Sequence, residues 1–288
     1  MVADSIERLK SVFVSFGDVD QFAPEAVQAY EQTIIDSNKA GTKIRAIMLC
    51  NPHNPLGRCY PKETIIEFLK LAQKYQVHLL SDEIYACSVY DVPEKDAVPF
   101  TSVLSFDYAE YINPDLLHVI YGLSKDFAAG GLRLGCILMK NKELHKAMGC
   151  INQFAWSGGP SDNIAATILE NEEWLEGFLN RARTKLATAN QLVKQLLDEK
   201  NIKYATGANA GFFVLIDLSP YLPKYVNTSD DPFAAEAQLL QQFIDKGVYL
   251  TDGKSMSAER PGQFRIIFSQ DERVIREGLR RVFEVIGV

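Results

Sequence analysis

Apolar and polar positions recur along this chain at two different periods, and the switches between them mark its elements. Ser11–Phe16 (SVFVSF) alternates polar and apolar residues, which predicts a strand. Pro24–Asp36 carries Val27, Tyr30 and Ile34 at helical intervals and predicts a helix. Arg45–Cys50 (RAIMLC) is short and almost continuously apolar, the pattern of a strand buried on both faces. Glu63–Tyr75 returns to the helical period through Ile65, Ile66, Leu69, Leu71 and Ala72, and His78–Ser81 predicts the next strand. After a stretch broken by Pro93, Pro99 and Pro114, Leu117–Tyr121 and Leu134–Met139 read as further strands.

Glu170–Lys200 contains no proline and mixes charged with apolar residues, which predicts one long helix with its acids early and its bases later, as the helix dipole favours. A strand at Gly211–Leu218, a helix at Pro232–Lys246, strands at Val248–Thr251 and Phe264–Phe268 and a final helix at Asp271–Ile286 follow. The alternation predicts an α/β protein with a mostly parallel sheet. The expected division is a large domain over residues 1–165, a connecting helix over 166–200 and a small α+β domain over 201–288.

Composition narrows the partners. The 288 residues are 47% hydrophobic and 23% charged, enough for a substantial core. A net charge of −7 argues against nucleic acid and anionic membrane surfaces as partners. No apolar run approaches the roughly 20 residues that span a bilayer, and MVADSIERLK lacks the apolar core of a signal peptide, so a cytoplasmic location is expected. The five cysteines are scattered without a Cys-x-x-Cys pair and read as reduced, mostly buried thiols, and the four histidines show no metal-ligand spacing, so no metal is assigned.

Three predicted strands end in loops that present chemistry: Asn54 in NPHNPLG, Asp82 and Tyr85 in SDEIY, and Lys125 in YGLSKDFAAGGLRLG. In an open α/β sheet, ligands bind beyond the carboxyl ends of the strands, so one site can draw on all three. Lys125 at a strand end could form a Schiff base with a carbonyl cofactor, and Arg133 could grip a phosphate through two parallel hydrogen bonds. Arg265 lies inside the apolar run FRIIF, where an unpaired charge is costly and an anion would be welcome. Taken singly, each has an ordinary reading: Asn54 as a turn former, Asp82 as a loop acid, Tyr85 as a rim residue, Lys125 and Arg133 as surface cations, Arg265 as an edge-strand residue facing water.

Together, Ser124-Lys125, the glycine pair and Gly-x-Arg-like GLRLG resemble the pyridoxal-phosphate lysine motif of class I/II aminotransferases, and the Tyr-x-Leu-Ser-Lys-Asp form is most similar to 1-aminocyclopropane-1-carboxylate (ACC) synthase-like proteins. CNPHNPLG and SDEIY match the family's Asn-Pro-x-Asn-Pro-x-Gly and Asp-x-x-Tyr loops, with Asn54 and Asp82 28 positions apart and Asp82 and Lys125 43 apart. The resemblance implies the pyridoxal-phosphate-dependent transferase fold (fold type I), pyridoxal 5′-phosphate as cofactor and an amino acid substrate, in a homodimer. It implies that Lys125 is the Schiff-base lysine and general base and that Asp82 pairs with the ring nitrogen. Tyr85 and Asn54 would donate to the ring oxygen, Arg133 would hold the phosphate, Ser124 would contact the cofactor, and Arg265 would take the substrate carboxylate. Transamination and ACC synthase-like elimination both stay open.

Two departures temper this. Gly122 stands where the family has a phosphate-binding serine, and the family's N-terminal part has no counterpart here, so the chain is expected to be a truncated form whose 1–165 region is a partial cofactor domain. A catalytically silent binding or regulatory module is the alternative.

Overall fold

The computed structural model describes residues 9–225 and 231–288. Its first half builds a four-stranded sheet from β1 (Ala46–Cys50), β2 (His78–Asp82), β3 (Leu117–Gly122) and β4 (Gly135–Met139), in that spatial order. β1, β2 and β3 run parallel and β4 returns antiparallel to β3. Before and within this sheet run helices α1 (Val27–Lys39) and α2 (Lys62–Tyr75). α2 shows why the local sequence folds as it does: Ile65, Phe68, Leu69 and Ala72 fall on one buried face, and Gln76 ends the helix in the left-handed region.

α3 (Lys142–Asn152), α4 (Gly159–Leu169) and the long α5 (Glu172–Asp198) lead into a second, antiparallel sheet with the order β5-β6-β8-β7. Its strands are β5 (Lys203–Tyr204), β6 (Phe213–Asp217), β7 (Thr251–Asp252) and β8 (Gln263–Ile267), flanked by α6 (Ala234–Asp245) and α7 (Glu272–Ile286). In α7, Ile275, Leu279, Val282, Phe283 and Ile286 make the buried stripe, Asp271 caps the start and Gly287 the end. Two apolar cores result, one built from residues between Phe22 and Val119, the other from Tyr90 and residues between Val193 and Ile286.

The two halves are stitched by polar contacts. Gly57 O accepts from Asn209 N and Ala210 N at 2.8 and 2.9 Å, and Lys194 of α5 pairs with Glu94 while donating to Ala208 O at 3.2 Å. Gly57 has φ of 64°, and a Cβ there would lie 2.9 Å from Ala210 O, so this junction needs glycine.

Several sequence expectations are corrected. Ser11–Phe16 joins no sheet, because alternation supplies a face and not a partner; Phe16 N instead donates to the Glu259 carboxylate at 2.7 Å. β1 is not buried on both faces: it is an edge strand whose Ala46 and Met48 face solvent while Ile47 and Leu49 pack inward. Val248–Thr251 enters the sheet only at its last residue, since Val248 N is used to close the end of α6 on Phe243 O. The thiols are not mostly buried either: Cys59 is, Cys50 and Cys87 are half-buried, and Cys136 and Cys150 are exposed.

A pH response follows from the first core. His53 packs edge-on against Phe22 and near Tyr60, and burial, helped by the Arg58 charge, brings its pKa down to about 4. An unfolded histidine takes up its proton near pH 6.5. Between these values the unfolded chain binds more protons, so stability is expected to fall as pH drops from about 6.5, by at most about 1.4 kcal/mol per pH unit. Denaturant melts of wild type and His53→Phe at pH 7.5 and 5.5 check this, with a flatter dependence expected in the variant.

Candidate active site

The register of the parallel strands sets the first three junctions side by side. Cys50 pairs with Asp82 and Asp82 with Ile120, so β1 and β2 end at one level, β3 runs two residues further to Gly122, and the loops that follow them open on one edge. Asn51 N donates to Asp82 O, and Glu83 N to Ile120 O, both at 2.9 Å, which ties the loop bases together.

Asp82 closes β2. Its side chain accepts from Ile84 N at 3.2 Å. Burial raises its carboxyl above the ordinary range, while that hydrogen bond and the Lys125 charge pull it back. Asp82 and Lys125 therefore sense each other across adjacent strand ends. Tyr85 is buried with its ring edge-on to Phe212 and Phe213, and burial lifts its phenol well above 10, with Arg265 opposing and Asp82 and Asp126 reinforcing.

Arg265 comes from β8, far away in sequence. Its Nη1 donates to Asn54 Oδ1 at 2.5 Å and its Nη2 to Thr251 Oγ1 at 3.2 Å, with the guanidinium 5.3 Å from the centre of the Phe213 ring. Its Nε is buried and has no partner among the described residues. The edge-strand reading fails: the side chain is turned inward onto Asn54, with an N–H left for an acceptor. Thr251 is a neighbour that no sequence signal marks.

Lys125 sits exposed on the turn after β3, beside half-buried Ser124. Arg133 is exposed in the left-handed region and its Nη1 donates to Gly130 O at 3.1 Å, so the guanidinium is folded over its own glycine pair. Ser124 lies beside Gly130, its Cβ 3.7 Å from where a Cβ on that glycine would be. Behind the turn, Asp126 is buried and accepts from Cys87 N at 2.9 Å, Ser88 Oγ at 2.5 Å and Tyr121 Oη at 2.8 Å. Its only sequence signal is its place after Lys125.

Gly122 ends β3 opposite Gly135. A Cβ on it would meet Leu134 O at 2.9 Å and the Gly135 Cα at 3.2 Å. Backbone cannot swing aside as a side chain does, so Gly122→Ser is expected to cost about 1–3 kcal/mol. A lower denaturant midpoint with an unchanged slope would show it. The serine of the family therefore cannot simply be restored here.

Comparison with known proteins gives a consistent picture. The family model described as "Aminotransferase class I and II" matches residues 14–282. A curated relative, "1-aminocyclopropane-1-carboxylate synthase-like protein 1" of Mus musculus, is 31% identical over 261 residues, covering 90% of this chain and 49% of its own. The "Probable inactive 1-aminocyclopropane-1-carboxylate synthase-like protein 2" of Mus musculus is 30% identical over 262 residues, covering 91% and 43%. The chain thus spans about half the length of these relatives. Among solved structures, a Thermus thermophilus aspartate aminotransferase double mutant superposes with a TM-score of 0.71 at 24% identity, covering 91% of this chain and 60% of that one. The fold is fold type I, a mixed sheet with flanking helices, as the motifs imply. With a family model spanning nearly its whole length, this chain belongs to the aminotransferase class I and II family.

Proposed function

We propose that this chain acts as a pyridoxal-phosphate-dependent enzyme on an amino acid, as an aminotransferase or an ACC synthase-like lyase. The observation that carries the reading is the meeting of two strand ends: Asp82 closes β2 in register with Ile120 of β3, and the turn that follows β3 carries the exposed Lys125.

The residues present fit the cofactor. Asp82 is half-buried, which raises its carboxyl, and its side chain accepts from Ile84 N, so a pyridinium delivered beside it would favour its charged form. The buried, unpartnered Nε of Arg265 calls for an acceptor such as a carboxylate. Asn54 has committed its carbonyl to Arg265, which leaves its amide nitrogen as the donor for a ring oxygen, alongside Tyr85. Ser124 and Arg133 would hold the phosphate, Arg133 after releasing Gly130 O. When bound, pyridoxal phosphate supplies an electron sink for charge developing at the substrate Cα. In this site Lys125 would hold the cofactor through its Nζ and, once freed by the substrate amine, would take and return the Cα proton as general base.

The proposal extends to a cytoplasmic homodimer. Exposed Ile151, Phe154 and Trp156, close together in one stretch, support a second copy as their cover. No helix of the described residues is long and apolar enough to cross a membrane. A second reading, a silent binding module, is favoured by Gly122, by the inward fold of Arg133 and by a relative whose name says "Probable inactive". Titrating pyridoxal phosphate into the purified chain and then screening amino acids separates the two. Enzyme chemistry predicts a shifted cofactor absorbance that changes again with the accepted amino acid. A spectrum that stays that of free cofactor rejects it.

A further inference from the structure

The turn that carries Lys125 is weakly held by its own backbone. Leu123 N reaches Leu134 O at 3.3 Å, Ala128 N reaches Lys125 O at 3.3 Å and Ala129 N reaches Leu123 O at 3.2 Å, all at or beyond the long end of the ordinary range. Side chains do the anchoring. The Phe127 ring lies parallel to Phe178 of α5 with centroids 5.8 Å apart, and Asp126 is buried at 6% exposure among three donors. Two of those donors, Cys87 N and Ser88 Oγ, belong to the loop that begins with Asp82 and Tyr85. The third, Tyr121 Oη, comes from the end of β3 just before the turn. The same loop is fixed to α5, since Arg183 Nε donates to Cys87 O at 3.0 Å.

A buried carboxylate is expensive where an apolar side chain would serve for packing alone, so its presence asks what the three directed bonds achieve. They join the segment bearing Asp82 and Tyr85 to the residue next to Lys125. Adjacent Cα atoms are held about 3.8 Å apart by one peptide unit, so fixing residue 126 fixes where the amine can reach.

We propose that Asp126 is a positioning residue: through Cys87, Ser88 and Tyr121 it sets the Lys125 amine against the Asp82–Tyr85 loop so that amine and ring-nitrogen partner address one cofactor. The inference rests on the pyridoxal-phosphate reading above.

The test is reductive labelling of the full chain. Pyridoxal phosphate is added, borohydride fixes whatever has condensed with an amine, and peptide mapping gives the pyridoxyl yield at each lysine, well below the unfolding temperature. In Asp126→Ala the yield at Lys125 is expected to fall about tenfold or more, as misplacement near 1 Å can do, while exposed Lys142 and Lys146 are labelled as in wild type. Asp126→Asn is expected to restore most of the yield. Its amide oxygen can keep Cys87 N and Tyr121 Oη, and its amide nitrogen can donate to Ser88 Oγ. A folded Asp126→Ala protein that labels Lys125 at the wild-type level overturns the proposal, as does an Asn variant no better than Ala. Should the Ala variant not fold, Tyr121→Phe and Ser88→Ala each delete one donor and are expected to lower the Lys125 yield in part; full yield in both overturns it. Wild type without any adduct at Lys125 overturns the cofactor reading itself, and the positioning role with it, a result distinct from equal labelling in wild type and variant.

Discussion

Lys125→Ala is expected to remove essentially all turnover of whichever amino acid the spectral screen identifies, by about 10⁴-fold or more, while leaving the fold intact. Lys125 is asked to do two things, to form the covalent link and to move the Cα proton, and general acid–base catalysis alone contributes roughly 10²–10⁴-fold. Its side chain is exposed on a turn and is not part of either apolar core, so truncation opens no cavity. Rapid-mixing kinetics with cofactor and substrate, together with a thermal melt, read both halves of the prediction. Turnover surviving in a well-folded Lys125→Ala protein places the chemistry elsewhere.

Asp82→Asn carries the second large effect, and it should split binding from turnover. The amide oxygen can still accept from Ile84 N, so the loop after β2 keeps its shape. What disappears is the negative charge that would keep the ring nitrogen protonated. Removing one partner of a desolvated charge pair costs on the order of 3–5 kcal/mol, which in a rate is about 10²–10⁴-fold. Cofactor affinity is expected to change much less, because the covalent link and the phosphate contacts are untouched. Measuring cofactor affinity by absorbance titration and turnover on the same preparation decides it: equal losses in both, or no loss in turnover, exclude Asp82 as the ring-nitrogen partner.

The parts of this fold that were legible in the sequence share a physical cause. Strand ends followed by Asn-Pro, Asp-x-x-Tyr or Ser-Lys steps announce themselves because a buried apolar run and a turn signal adjoin, and a parallel register then brings the turns to one edge. Arg265 was legible because a cation within FRIIF has few comfortable explanations, and its contact with Asn54 gives the charge an inward purpose. Other features left no such mark. Ser11–Phe16 has the alternation of a strand, but pairing depends on a neighbour that alternation does not specify. α3 does carry Leu144, Ala147, Met148 and Ile151 at helical spacing, yet it is only 11 residues long and buries none of them, and α4, also 11 residues, buries only Ala165. Asp126 is the sharpest case: its three donors lie at positions 87, 88 and 121, and two of these contacts exist only because β2 and β3 are neighbours in space.

The most direct measurement of the central claim is the identity of the lysine that condenses with pyridoxal phosphate in the unmodified chain. Borohydride reduction followed by peptide mapping should place the pyridoxyl group on Lys125, in a yield that exceeds every other lysine and saturates with added cofactor. A pyridoxyl group found mainly on another lysine, or spread evenly over the exposed ones, would contradict the account.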